Sequence, residues 1–293
     1  MSYQNQRYPQ QRRRRSAFSG LKLRLIIGAA IVLFSVVSFM NKGEINPVTG
    51  KKQRVDMSIQ EEINNGIQSV PQMGPQSRNL RAQQHVDEIG FRLVNELKQL
   101  LYTEKGIELP YPFEFHLLAK PEINAFALPG GQVFLTETLY RALEEEGTPE
   151  QHDARIAGVL GHEIGHVIER HSSERMAKGN LISGIVGAAG VAGGDMSGRS
   201  AAAYVGNIIN MKYGRQDELE SDEWGIELMM LADYDPNYLL DVMEVLRRTG
   251  GAGPEFLSTH PSSDTRIEAI KKIIEMNRIK IEQNQNRRIL NIE

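Results

Sequence analysis

Cysteine is absent from the 293 residues. Its absence excludes a disulfide framework, a thiolate metal site and a cysteine nucleophile, and leaves any metal to His, Asp and Glu. It is compatible with an oxidising compartment. Acidic residues are absent from positions 1–24, which carry Arg7, Arg12 to Arg15, Lys22 and Arg24. The formal net charge of −3 therefore hides a basic tail on an acidic body. That distribution does not describe a nucleic-acid binder, and no nucleic-acid partner is expected. No internal repeat is present. With 40% hydrophobic and 24% charged residues, the chain has an ordinary globular balance, with room for one sizeable core or two small ones.

A hydrophobic run covers residues 21–40, interrupted only by Lys22 and Arg24. Its length is near the minimum for a bilayer span. The basic cluster before it puts the N-terminus in the cytoplasm by the positive-inside rule. The expectation is a basic cytoplasmic tail over 1–20, a transmembrane anchor over 21–40, and a periplasmic or otherwise extracytoplasmic body. Two other readings stand beside it. One is a signal peptide cleaved from a secreted protein, although Ser38-Phe39-Met40-Asn41 offers no small-x-small site. The other is a mitochondrial presequence, which would direct the chain to the mitochondrial inner membrane.

Residues 41–78 read as a linker and first helix, with turn chemistry at Asn46-Pro47-Val48-Thr49-Gly50. Val86, Ile89, Leu93, Leu97 and Leu100 recur at helical spacing, so an amphipathic helix is expected over 79–102. Short strands are expected at 113–117, 125–128 and 132–135, around Pro129-Gly130-Gly131. Helices follow over 136–146, as one long element over 150–176, then over 216–231, 237–248 and 265 to the end. Residues 179–206 are rich in Gly and Ala. Residues 181–194 are apolar but too short to span, and glycine makes them a poor isolated helix. They read as a mobile or loosely helical insertion, either a gate over an active site or a tolerated surface insertion.

His162-Glu163-Ile164-Gly165-His166 is the chemical centre of the sequence. On a helix, residues four apart share a face, so two imidazoles can hold one metal ion. Glu163 lies beside them and can take a proton from metal-bound water. Ile156, Val159, Leu160, Ile164 and Val167 form an apolar stripe that would bury this helix, which surface histidines would not need. A third protein ligand is required. The longer zinc pattern, with a glycine and a third histidine beyond the second, fails here at Glu169 and Ser172. His171 is one residue out of place and is expected to point away. Glu218 and Asp222, one turn apart, are the alternative: Glu218 as ligand, Asp222 as hydrogen-bond acceptor for the far nitrogen of a ligand histidine such as His162. Read alone, Asp217, Glu218, Glu220, Asp222 and Glu223 would be a solvated acidic face. His260, before Pro261 and six residues ahead of Arg266, could bond an oxyanion, cap the open metal position at rest, or be structural.

Together these residues resemble the gluzincin zinc metallopeptidases of the HtpX, BepA, OMA and CAAX-prenyl-endopeptidase family. The resemblance runs over about residues 56–275, through Asn124-Ala125-Phe126-Ala127-Leu128-Pro129-Gly130-Gly131, Gly161 to His166, Glu218 with Asp222, and His260-Pro261 with Arg266. It implies an α+β, mostly helical zincin-like fold with a small β-sheet edging the cleft. The metallopeptidase domain would occupy 79–275, with a helical tail over 276–293. It implies one Zn²⁺ per chain on His162, His166 and Glu218, with Glu163 as base, His260 at the site and Arg266 in support. The donor set favours zinc over manganese or cobalt. Asn124, Ala125, Phe126 and Ala127 would bind an extended substrate strand. The implied activity is a membrane-anchored metalloendopeptidase in quality control, acting on unfolded, misassembled or membrane-associated polypeptides and contacting the lipid bilayer through its N-terminal helix. The alternative is an inactive zinc-containing, chaperone-like binding protein, for which Glu163 would have no use. With one expected span and no helical repeats, neither an intramembrane prenyl-protein role nor a repeat-built partner platform is expected.

Overall fold

The spacing of apolar residues sets most of the elements. A computed structural model describes residues 17–193, 213–249, 260 and 264–290. The basic cluster at Arg7 and Arg12 to Arg15, the second half of the Gly/Ala-rich segment, Ser258, Thr259, Pro261 and residues 291–293 lie outside them. The fold is α+β and mostly helical. The chain divides into two units, residues 1–41 with 178–199, and residues 42–177 with 200–293.

The larger unit carries the core. Helix α3 (Leu80–Lys105) buries Val86, Ile89, Leu93 and Leu97 of the stripe read from the sequence, and at its end buries Leu101 where the sequence suggested Leu100, which is half-buried. Asn79 caps its start and Gly106, in the left-handed region, ends it. A three-stranded sheet follows in the order β3-β5-β4, with β3 (Glu114–Leu118) parallel and β4 (Ala125–Leu128) antiparallel to β5 (Gln132–Thr136). The central strand β5 is buried throughout, whereas β4 is an edge strand. Gly130 and Gly131, both at positive φ, make the turn that folds β4 onto β5. Thr136 then caps α4 (Glu137–Glu144).

Helix α5 (Pro149–Ile168) starts at a Thr148 capping box with Pro at its first position, and is buried continuously from Ala154 to Ile168. It packs against α7 (Arg215–Leu231), α8 (Tyr238–Thr249) and α3, while α9 (Asp264–Leu290) packs on α7. The single helix expected over 150–176 is two: α5 stops at Ile168, Arg170 takes a left-handed φ of 54°, and α6 (His171–Gly193) begins.

The cause lies in the stretch expected as a linker and first helix. It holds α2 (Ile59–Ser69), but also an antiparallel hairpin of β1 (Gly43–Ile45) and β2 (Lys52–Arg54) that is no free linker, since Asn46 and Val48 are buried. Asn46 Nδ2 donates to Ile168 O at 2.7 Å and Gln53 Nε2 to Glu169 O at 2.5 Å, satisfying carbonyls at the end of α5. Arg170 donates to Glu62 Oε1 at 2.9 Å and to Met57 O at 2.7 Å. Each such bond is worth about 1 kcal/mol net, and together they outweigh the roughly 1–2 kcal/mol cost of a left-handed non-glycine residue.

The smaller unit contains α1 (Ala17–Met40), whose stretch Gly20–Met40 is long and apolar enough to cross a membrane. It also contains α6 from Lys178 onward, a regular helix to Gly193 where the sequence suggested loose structure.

Candidate metal centre

Helix α5 puts His162 and His166 on one face, and glycines decide what meets them. A Cβ on Gly165 would lie 2.8 Å from Ser221 Cα, and one on Gly225 would lie 3.0 Å from His162 N. No side chain fits between α5 and α7 there, so the two backbones approach closely. That approach delivers Glu218 and Asp222, one turn apart on α7, to the two imidazoles.

The atoms His162 Nε2 and His166 Nε2 are 3.0 Å apart. Glu218 places Oε2 3.7 Å from the first and Oε1 3.6 Å from the second. His260 Nδ1 completes a four-cornered group, 3.2 Å from His162 Nε2, 3.3 Å from His166 Nε2 and 3.0 Å from Glu218 Oε1. Donors bound at about 2.0–2.1 Å to a tetrahedral zinc would be separated by about 3.3 Å. The group therefore fits one such ion, and all four side chains are buried. Glu163 is fully buried beside it, and neither carboxylate oxygen has a hydrogen-bond partner among the described residues. A carboxylate left so is costly unless a cation or bound water answers it.

The electrostatics follow from burial and the neighbours. Burial pushes the Glu163 carboxyl above its ordinary value, against the pull of His260 and His162. Burial also holds His166 well below its ordinary value, so it is neutral and able to ligate. Burial alone would raise Glu218, but His260, His162 and Arg266 bring it below. Asp222 is likewise opposed by burial, yet Arg266 and His162 hold it at about 2.

His162 and His166 are each backed on the far side. His162 Nδ1 is 2.9 Å from Asp222 Oδ1. Arg266 clamps that carboxylate with two bonds of 2.7 Å, and also pairs with Glu218. His166 Nδ1 lies 2.9 Å from His171 Nδ1. A metal on His166 Nε2 would make Nδ1–H the donor and His171 Nδ1 its acceptor, leaving His171 Nε2–H to donate to Glu220 Oε2, 3.1 Å away. His171 takes no place in the four-donor group, as expected from its offset, and after the break at Arg170 it backs His166 from the far side. Lys51 Nζ bridges Glu220 at 3.1 Å and Glu169 at 3.0 Å, and Trp224 Nε1 donates to Glu169 at 2.8 Å. Glu169, His171 and Glu220 are also close enough to hold a metal, but the Lys51 ammonium already occupies their carboxylates.

Tyr213 is a further residue the sequence did not flag. Its ring stacks on His166 at 3.8 Å and on His260 at 4.9 Å between centroids, with Arg175 4.2 Å from its own centroid and its hydroxyl 3.1 Å from Ser172 Oγ. On the other side, β4 packs against α5. Asn124, Ala125 and Ala127 are buried and Phe126 is partly exposed. A small cavity lies between Ala127, Leu128 and Pro129 on one wall and His166, Ser172 and Ser173 on the other.

Histidines one turn apart on a buried helix, meeting a carboxylate from a later helix beside a sheet edge, define the metallopeptidase class. The chain belongs to peptidase family M48, whose sequence model matches residues 90–274. Mitochondrial metalloendopeptidase OMA1 of Schizosaccharomyces pombe is 34% identical over 179 residues, 60% of this chain and 50% of that protein. The β-barrel assembly-enhancing protease of Escherichia coli is 29% identical over 268 residues, 85% of this chain and 52% of that protein. OMA1 of Saccharomyces cerevisiae is 32% identical over 176 residues, 55% of this chain and 46% of that protein. The chain thus spans about half the length of these curated relatives.

Proposed function

We propose that this chain is a membrane-anchored zinc metalloendopeptidase that cleaves unfolded or misassembled polypeptides. The observation that carries the reading is the convergence of His162, His166 and Glu218 on one point, beside a Glu163 carboxylate with no hydrogen bond among the described residues. A zinc ion held by those three residues would supply a Lewis acid for the scissile carbonyl and lower the pKa of bound water towards neutrality.

Glu163 takes the proton from the attacking water and returns it to the leaving amine, a role its raised carboxyl suits. Asp222, held by Arg266, fixes the tautomer of His162 and strengthens it as a ligand. The free edge of β4, from Asn124 to Ala127, receives an extended peptide through main-chain hydrogen bonds. Such binding reads backbone more than side chain and suits unfolded substrates. His260 Nδ1 lies at the fourth corner of the group, which supports a resting-state cap that substrate must displace. The position of Glu163 supports a protease over a structural zinc protein, which has no use for a base.

α1 is the anchor in this reading, with the N-terminus cytoplasmic and the domain at 79–275 outside, as the basic cluster before it supports. The word mitochondrial in the name of the S. pombe relative supports a mitochondrial membrane as the alternative. The E. coli relative is named for enhancing β-barrel assembly, which supports a place in protein quality control.

The test is the Glu163→Gln variant of the full chain in detergent. It should keep its zinc while cleavage of unfolded casein falls by about 10² or more. Undiminished cleavage would remove Glu163 as the base.

A further inference from the structure

The second half of α6 carries a pattern that the metal centre does not use. Residues 181–193 hold no charged side chain, and Ser183 is their only polar one. A helical serine can satisfy its hydroxyl on the carbonyl one turn back. Within the smaller unit this half-helix lies against α1, and the facing residues are small. A Cβ on Gly184 would sit 2.2 Å from Ser35 Oγ and 2.9 Å from Ser35 Cβ. Ala188, one turn further on, is 3% exposed. On α1, Gly28 is buried, and Ile31, Val32, Ser35 and Val36 are partly so. Small residues four apart are the spacing by which helices approach each other in lipid.

The face turned away from α1 is also apolar. Ile182 is 59%, Ile185 42% and Val186 56% exposed. On α1 the outward face is of the same kind, with Leu33 at 66% and Phe34 at 74%. A helix in water carries polar residues on the face away from its neighbour. Here the exposed positions of residues 25–40 on α1 are all apolar, and those of residues 181–191 on α6 are apolar apart from Ser183.

We propose that residues 181–193 of α6 are embedded in the bilayer beside α1, as an apolar wedge and not a second span. The proposal rests on reading α1 as a membrane helix. The occupant of the Ile182, Ile185 and Val186 face is lipid acyl chain, because the segment packs directly on α1 and continues its outward apolar surface in one medium. Its length sets the depth. Thirteen helical residues rise about 20 Å, short of the roughly 30 Å hydrocarbon thickness. Lys178 and Asn180, both exposed, precede the apolar stretch and suit the headgroup level.

The absence of cysteine gives a clean background for the test. Single cysteines at Ile182, Val186 and Ala189 are spin-labelled in the full chain, reconstituted in phosphatidylcholine–phosphatidylglycerol vesicles. All three positions are exposed, so the labels displace no core side chain. Collisions with oxygen and with a water-soluble nickel chelate are compared with those at Tyr102, 71% exposed on α3, and at Phe34 on α1. The proposal predicts high oxygen accessibility at the three positions, and nickel accessibility several-fold below that at Tyr102. Nickel access like that of Tyr102, with Phe34 still shielded, overturns the wedge and leaves the anchor standing. Nickel access at Phe34 as well overturns the anchor reading itself. Shielding from both probes shows a protein cover, residues 194–212 included, and overturns lipid as the occupant.

Discussion

At the residue scale, the centre is held from behind as much as from in front. His162 leans on Asp222 and Arg266, and His166 leans on His171 and Glu220. Such backing sets which imidazole nitrogen carries the proton and how basic the other is. His171→Ala should lower zinc affinity by about 10–100-fold, and Glu220→Gln by less, as read by competition with a chromophoric chelator. His171→Asn, which keeps an acceptor, should recover part of the loss. An unchanged affinity in His171→Ala would make the contact structural only.

Asp222 also gives a pH dependence. Burial opposes its charge, yet Arg266 and His162 hold it at about 2, against an ordinary 3.8. A depressed folded-state value stabilises the fold above the unfolded value, and the gain is lost as pH falls from about 4 towards 2. The urea midpoint of the metal-free chain should therefore drop over that window, and Asp222→Asn should flatten that limb.

At the element scale, the sequence made much of the scaffold legible. The α3 stripe up to Leu97, the three strands around Gly130-Gly131 and the start of the histidine helix all follow from local spacing. Glu218 and Asp222 were legible because four-residue spacing fixes a shared helix face. The break between α5 and α6 was not. Its causes, Asn46 and Gln53, lie 122 and 116 residues from the carbonyls they bind, and no local pattern carries that distance. The bond of His171 to the far nitrogen of His166 was not legible for the same reason, because it depends on that break. The signal available was Gly161, Gly165 and Gly225, whose spacing marks a close crossing of two helices. Gly165→Ala should force α5 and α7 apart, at a cost of about 1–3 kcal/mol in chemical denaturation and with weaker metal binding. Unchanged stability and affinity would show that the crossing tolerates a side chain.

At the scale of the whole molecule, a metallopeptidase unit of family M48 shares a chain with a helix long and apolar enough to cross a membrane. The hairpin and α2 belong to the larger unit, and buried Glu62 answers Arg170 within it. Removing one partner of a buried ion pair is costly, so Glu62→Ala should destabilise the chain by about 3–5 kcal/mol in chemical denaturation. A loss below 1 kcal/mol would mean that the pair does not hold the break.

The central claim, a zinc ion on His162, His166 and Glu218 with Glu163 as base and not ligand, is tested most directly by metal content. Wild-type chain, Glu163→Gln and Glu218→Gln are purified side by side and their zinc is counted. The account predicts about one zinc per chain in the first two and a marked loss in the third. A full complement in Glu218→Gln, or loss of metal from Glu163→Gln, would contradict it.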